Sequence, residues 1–248
     1  MKMRKKSDHF RMLTVHIVVH FFLGLSCATN VVTMLLQGVL EVHRVLYWSG
    51  MFFAALFISS GMADFFVALD RLLAIAFPVA YMLGMSKKLM ITALAMCALL
   101  CSAVVFMYTF FARDPLPAVI TMIVDYVNPK VVDLVLVLQI AIIVLNILIS
   151  AVFLVKLKKF YNFLDRSSKM ANTIVFYQII LAALFWLAPF VAKAVIEYGY
   201  GILIRTYMGP VPTTSVVVYV AGCSVIYWKK LAFSSKVTAE MTNRTVQS

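Results

Sequence analysis

Ionisable side chains inside long apolar stretches are the residues of this chain best placed for chemistry. His16 and His20 are four positions apart, which puts both imidazoles on one face of a helix, and such a pair can bind a metal ion. Because no third ligand is apparent in the sequence, histidines that only pack or lie at an interface are the favoured interpretation. The sequence therefore predicts no metal and no cofactor.

Asp64 lies within another apolar stretch, seven residues before Arg71. Inside a membrane an ionised side chain costs about 2.5–3.5 kcal/mol, so such a residue usually has a function or a partner. Asp64 could hold a water or cation network, or it could be protonated. It could equally be satisfied by Ser59 or Ser60, which precede it by one turn.

An adjacent pair of opposite charges, Asp70 and Arg71, ends the same apolar stretch. The guanidinium is always charged and presents a planar fork of N–H donors. It would pair with Asp70 at rest and could turn to a carbonyl or carboxylate of a docked partner. Pro78 follows and is expected to end the helix. In the simpler interpretation the pair is only a solvated helix end, where Arg71 would bury little apolar area.

The composition indicates the environment in which these residues lie. Hydrophobic residues make up 64% of the 248, charged residues only 13%, and the mean hydropathy is +0.98. These values exclude a soluble globular domain and a disordered chain, since soluble domains carry roughly 25% charged residues. Six apolar runs are long enough to cross a bilayer core of ~30 Å, which needs about 20 helical residues. The runs are residues 12–36, 48–69, 89–111, 131–155, 173–196 and 206–228.

The sequence thus predicts an all-α, polytopic transmembrane helix bundle with one domain at residues 12–228. Residues 1–11 form a basic cytoplasmic N-terminus and residues 229–248 a cytoplasmic tail. With this orientation the cytoplasmic segments hold 17 Lys and Arg and the opposite side four, as the positive-inside rule requires. The lipid bilayer explains the net charge of +12, and nucleic acid is not an expected partner.

Enzyme signatures are missing from the sequence, which has no H-E-x-x-H, G-x-S-x-G, Walker A or G-x-G-x-x-G motif. The four cysteines all lie inside predicted spans, where packing is favoured over a disulfide or a metal site. The chain is therefore not expected to be an enzyme. One alternative function is a small polytopic membrane transporter or channel.

A family resemblance is carried by Asp70–Pro78, which reads D-R-L-L-A-I-A-F-P. It resembles the D-R-Y-x-A-I-x-x-P signature at the third helix of rhodopsin-like G protein-coupled receptors, with Leu72 in place of the Tyr. The wider text A-L-D-R-L-L-A-I-A-F-P-V-A-Y, followed by S-K-K, resembles nematode serpentine chemoreceptors, the class BC group first and the class SX group second. The resemblance implies a chemosensory receptor in the plasma membrane of sensory neuron cilia that signals to a heterotrimeric G protein.

Two later segments resemble the family pattern less closely. Trp186 and Pro189 form W-x-x-P where the family has W-x-P, so Trp186 is rotated by one residue if the prolines align. Pro189 removes a helical hydrogen bond to Phe185, and a kink is expected there. Tyr227 alone matches an N-P-x-x-Y motif. With Asp70, Arg71 and Pro78, these residues are the predicted coupling and switch positions, and Asp165 is the nearest candidate for a second ionic partner of Arg71.

The number of spans also departs from the family. Six are predicted for a seven-helix receptor-like fold. Aligning Asp70-Arg71 with the third helix leaves the first helix missing, through truncation or loss.

The resemblance further implies an outer cavity for a small-molecule ligand of unknown identity. A mostly apolar lining would suit volatile or lipid-like ligands. Lys193 and Glu197, one helical turn apart, either pair with each other or face this cavity. Asp133 is either an interfacial charge or part of the mouth, and Tyr198 and Tyr207 are placed there too.

Overall fold

A computed structural model describes residues 11–36, 43–113, 126–160, 166–200 and 214–229. Apart from short connections, these residues are helical, which confirms the predicted all-α class. The α-helices are α1 Arg11–Leu36, α2 His43–Ala76, α3 Pro78–Ala80, α4 Ser86–Phe110, α5 Pro129–Phe160, α6 Arg166–Ala182, α7 Ala188–Ala194 and α8 Thr214–Lys229.

Four helices within the described residues are long and apolar enough to cross a membrane. They are Met12–Leu36, Arg44–Ala76, Leu83–Phe110 and Pro129–Phe160. They overlap the first four predicted apolar runs, and the protein is a multi-pass membrane protein. The fifth and sixth predicted spans correspond to shorter apolar helices, Asn172–Phe185 and Thr214–Lys229.

The helices extend beyond the apolar runs because polar residues continue them. α2 has 34 residues, which is about 51 Å at ~1.5 Å per residue. A hydrocarbon core of ~30 Å covers only part of that length. The ends of α2, with Arg44 at one and Arg71 at the other, therefore reach the membrane boundaries.

Residues up to Phe163 form one compact unit, and within it α2 is the central helix. It packs against α1, α4 and α5, and it is the most deeply buried of the four apolar helices. Small side chains allow the close approach that holds helices together in lipid. Ala55, Ala63 and Ala93 are at most 1% exposed at these contacts.

Backbone hydrogen bonds join the residues after α4 to the residues before α5, at the end of the unit that lies away from Arg71. Ala112 and Val127 form an antiparallel bridge, and the amide of Arg113 donates to the carbonyl of Tyr126 at 2.7 Å. Asn128 caps α5, accepting from the amide of Lys130 at 3.1 Å. The two helices are thus held together at their ends without a disulfide, and all four cysteines are free thiols as expected.

The second unit begins at Leu164 and is described by itself. Two wider π turns, Ala183–Leu187 and Val195–Gly199, follow α6 and α7. In the first, the amide of Ala188 donates to the carbonyl of Ala183, five residues back. This break lies directly before Pro189, where the sequence predicts a kink, because proline cannot complete a normal helical hydrogen bond.

Helices α6 and α8 meet closely in this second unit. A Cβ built on Gly222 would lie 2.9 Å from Cδ1 of Leu181, so a larger residue there would require the end of the Leu181 side chain to shift. One turn further along α8, the Tyr227 hydroxyl is 2.9 Å from Oε1 of Gln178, and both residues are buried.

Candidate functional site

Asp70, Arg71 and Tyr81 form a closed set of hydrogen bonds, called here the guanidinium cluster. Nε of Arg71 donates to Oδ2 of Asp70 at 2.9 Å, and Nη2 donates to the same oxygen. Nη2 also donates to the Tyr81 hydroxyl at 2.9 Å, and that hydroxyl donates to Oδ1 of Asp70 at 2.9 Å. Each carboxylate oxygen therefore receives a proton donor from a different side chain.

The guanidinium cluster is buried, which contradicts the simpler interpretation of a solvated helix end. Arg71 is 2% exposed, Asp70 0% and Tyr81 5%. Burying two charges is tolerated only when each is paired and its remaining polar atoms are hydrogen-bonded. The three side chains meet this condition together, so removing Asp70 or Arg71 leaves a charge without its ion-pair partner.

The chain direction after α2 brings Tyr81 back to Arg71. Phe77 leaves the helical region, at φ −134° and ψ 62°, because it precedes Pro78, which starts α3. The turn that follows, Tyr81–Met85, contains Gly84 at φ 115°, a conformation that other residues rarely adopt. The break at Phe77 turns the chain so that Tyr81 returns to the end of α2, and Gly84 redirects the chain from there into α4.

Tyr81 acts in the guanidinium cluster as a neutral phenol. Burial raises the pKa of Tyr81 to about 12, since the phenolate would lose its hydration. The nearby Arg71 opposes this rise and the Asp70 carboxylate reinforces it. At neutral pH the hydroxyl therefore keeps its proton and bridges Arg71 and Asp70 as donor and acceptor at once.

A second buried set, the histidine–aspartate cluster, is made of His16, His20 and Asp64. Nε2 of His16 is hydrogen-bonded to Oδ1 of Asp64, and Nε2 of His20 lies 3.9 Å from the same oxygen. The two imidazole rings are 3.7 Å apart between centroids. Ser60 Oγ is 2.9 Å from Nε2 of His20. The third group that the H-x-x-x-H spacing lacked in the sequence is thus supplied by α2.

Sequence reasoning named Ser59 or Ser60 as a partner of Asp64 and did not connect Asp64 with the histidines. The Ser59 hydroxyl donates to the carbonyls of Ala55 and Cys97, at 3.0 and 3.1 Å. Tyr81 was also missed, although it stands ten residues after Arg71 in the text that carries the family resemblance.

The other predicted site residues are spread along the chain. Asp133 is exposed in the first turns of α5. Pro189 follows the first π turn and Tyr227 bonds Gln178. The backbones of Trp186, Lys193, Glu197 and Tyr198 belong to the π turns and α7, whereas Asp165 and Tyr207 lie outside the described residues.

Comparisons with known proteins address the chain as a whole. No curated protein and no solved structure matches it. A family model described as serpentine type 7TM GPCR chemoreceptor Srsx matches residues 2–235. The match confirms the resemblance carried by Asp70–Pro78, and the family is one of receptors rather than of enzymes. The chain belongs to this serpentine-type family of seven-transmembrane G protein-coupled chemoreceptors.

Proposed function

We propose that this chain is a chemosensory receptor that binds a small ligand at its outer side and signals to a heterotrimeric G protein. The guanidinium cluster carries the proposal. It places an arginine at the predicted cytoplasmic end of α2, with its charge held by Asp70 and Tyr81. This is the arrangement expected of a coupling residue that is kept away from its partner.

Coupling requires the guanidinium to exchange partners. A G protein that offers a carbonyl or carboxylate competes with Asp70 and Tyr81 for the same N–H donors. Because bonds are lost and gained in similar number, the two arrangements differ by a few kcal/mol at most. A ligand that binds the open arrangement more tightly then shifts the population toward it.

Basal signalling tests this mechanism without a known ligand. Asp70→Asn removes the negative charge that holds Arg71 but keeps an amide oxygen that accepts from it, so the loss is about 1.5 kcal/mol, the value of a charge-assisted hydrogen bond. We expect basal nucleotide exchange on a co-expressed G protein to rise roughly tenfold at equal surface expression, the factor that corresponds to about 1.4 kcal/mol. Thr92→Ala, which changes an exposed hydroxyl of α4, should leave it unchanged.

The counterpart of this experiment is a variant that cannot couple. Arg71→Ala alone would leave Asp70 as a buried charge, a change that costs about 3–5 kcal/mol, so loss of signal would not be informative. The double variant Asp70→Asn, Arg71→Gln keeps a neutral, polar pair and should give no basal signal. Arg71→Lys should be impaired, since an ammonium lacks the planar fork. If the double variant signals as strongly as Asp70→Asn alone, the mechanism is wrong.

The proposed conformational change takes place in the second unit. The π turn before Pro189 is a built-in hinge, because its hydrogen bonding is already wider than in an α-helix. Trp186 lies in that turn, and Tyr227 closes the contact between α6 and α8. These are the places where a change at the outer side would be passed on.

The proposed ligand site lies at the outer ends of the helices. Asp133 is an exposed charge at the start of α5. Lys193, Glu197, Tyr198 and Tyr207 are further candidates that the sequence alone proposes. A largely apolar wall suits a volatile or lipid-like compound. The proposed location is the plasma membrane of sensory neuron cilia.

A further inference from the structure

We propose that the histidine–aspartate cluster is a binding site for one divalent transition-metal ion of the zinc class. Two helices contribute, α1 with His16 and His20 and α2 with Asp64. The ligand atoms of the three side chains all lie within 4.8 Å of one another. All three residues are buried, at 0%, 2% and 4% exposure. This proposal does not depend on the proposed function.

The donor set selects the metal. Two imidazole nitrogens and one carboxylate oxygen are ligands that zinc, copper and nickel accept in proteins. Magnesium and calcium prefer sites built of oxygen ligands. Histidines four residues apart on one helix face are a recurring zinc-binding pair, because one turn brings both rings to the same ion.

The distances need only a small adjustment. Zinc lies ~2.0–2.2 Å from nitrogen and oxygen ligands, which places ligand atoms of a tetrahedral site about 3.3 Å apart. The span of 4.8 Å would therefore close by about 1.5 Å, within reach of side-chain rotation. Nε2 of both histidines lies near Oδ1 of Asp64. A bound ion would replace the His16–Asp64 hydrogen bond, so those two atoms would move apart while His20 moves closer.

Charge also favours a metal ion at this point. His16, His20 and Asp64 bring a buried carboxylate next to two rings whose centroids are 3.7 Å apart. Protonating both rings would place two like charges at that distance. A divalent cation instead bonds neutral imidazoles and neutralises the carboxylate. Ser60, at 2.9 Å from His20, is placed to hold a water in a fourth coordination position.

A bound ion would fasten α1 to α2 close to the guanidinium cluster. Asp64 precedes Arg71 by seven residues on one helix, which is about 10 Å and nearly two full turns. The metal would restrict how α1 and α2 slide next to the coupling residue. It would thus limit the relative movement of α1 and α2 near Arg71.

Cobalt binding by the purified full chain in lipid nanodiscs tests the site. Co²⁺ replaces zinc and gives visible absorption bands when it is held by nitrogen and oxygen ligands. We expect one equivalent to bind, with Zn²⁺ displacing it. His16→Gln and Asp64→Asn should each weaken binding by at least about 100-fold, since even residues behind the ligands contribute 10–100-fold. His43→Gln removes an imidazole from the first residue of α2 and should bind like the unmodified chain.

A variant that gains an absorption band distinguishes loss of the metal site from misfolding. His20→Cys keeps a metal ligand, so the chain should still bind Co²⁺ and show an additional thiolate-to-cobalt charge-transfer band. A histidine with only a packing role would not produce that band. The proposal is overturned if the unmodified chain binds no Co²⁺, if His16→Gln and Asp64→Asn bind as well as it does, or if His20→Cys adds no band.

Discussion

The guanidinium cluster shows how one hydroxyl changes the state of a charged pair. Asp70 and Arg71 are neighbours in sequence, and their contact alone would be an ordinary ion pair at a helix end. Tyr81 adds a donor for one carboxylate oxygen and an acceptor for Nη2 of Arg71. Because all three residues are nearly inaccessible, these bonds are not exchanged for water.

The first prediction concerns that hydroxyl. Tyr81→Phe keeps the ring but leaves Oδ1 of Asp70 without this donor, which should cost about 1–2 kcal/mol of stability. It also loosens Arg71, so basal signalling should rise, by less than in Asp70→Asn. Thermal unfolding in detergent and the G-protein exchange assay measure the two effects.

Tyr47→Phe is the matched control for Tyr81→Phe. The Tyr47 hydroxyl donates to the carbonyl of Tyr108 at 3.0 Å, at the other end of α2. Its removal should lower stability to a similar extent and leave basal signalling unchanged. Equal signalling in both variants would mean that Tyr81 acts only through stability.

Burial of Arg71 could not be derived from the sequence. Hydropathy locates the end of an apolar run but not the path of the chain after it. Tyr81 reaches Arg71 because the chain leaves the helical conformation at Phe77. The Asp64–His16 contact was hidden for a similar reason, because it joins two helices whose rotation about their axes depends on packing. The sequence indicates the residue types and the apolar spans, but it does not predict the contacts between helices.

At the scale of elements, the residues between helices determine where a helix ends or is distorted, which the apolar runs do not predict. The sequence correctly predicts that Pro78 ends α2, since proline disfavours a helical residue before it. It also indicates a disturbance at W-x-x-P, one residue longer than the family pattern. In the turn Ala183–Leu187 the backbone hydrogen bond joins residues five apart rather than four, so this turn contains one residue more than an α-helical turn.

Gly84 gives the second prediction, at the joint between α3 and α4. Its φ of 115° is strained for any residue with a Cβ, although no atom lies within 4 Å of the Cβ position. Gly84→Ala should therefore lower stability by about 1–2 kcal/mol through backbone strain alone. It should also displace Tyr81 and raise basal signalling.

Gly199→Ala serves as the comparison for Gly84→Ala. Gly199 likewise has open space around its Cβ position, and its φ is not in the left-handed region. Alanine there should be neutral or slightly stabilising in thermal unfolding. If Gly84→Ala is as harmless as Gly199→Ala, the joint does not depend on glycine.

At the scale of the whole molecule, the first four apolar helices coincide with the first four predicted spans, although the apolar runs understate how far the helices extend. Their direction across the membrane follows from charge alone. The excess of Lys and Arg on one side predicts that both ends of the chain are cytoplasmic. The same charge distribution predicts that the end of α2 with the guanidinium cluster lies on the cytoplasmic side.

Glycosylation provides the third prediction. Asn243-Arg244-Thr245 is the one N-x-[ST] sequence in the chain and lies in the predicted cytoplasmic tail. It should carry no glycan in cells, because it never enters the lumen where glycans are attached. Val119→Asn creates N-I-T between the third and fourth spans and should be glycosylated, measured as a mass shift removed by an endoglycosidase. A glycan on Asn243 would reverse the orientation.

The central place of α2 also has a consequence for biosynthesis. Among the described helices, α1 leaves the ribosome first and carries both histidines into the bilayer. Asp64 then arrives on α2, and its entry into hydrocarbon, which costs about 2.5–3.5 kcal/mol for an ionised group, is offset by His16, which is already in place. The later helices α4 and α5 pack on α2 in turn. Insertion of α2 is thereby coupled to the order of synthesis, so that α1 acts as an assembly partner for the helix that follows it.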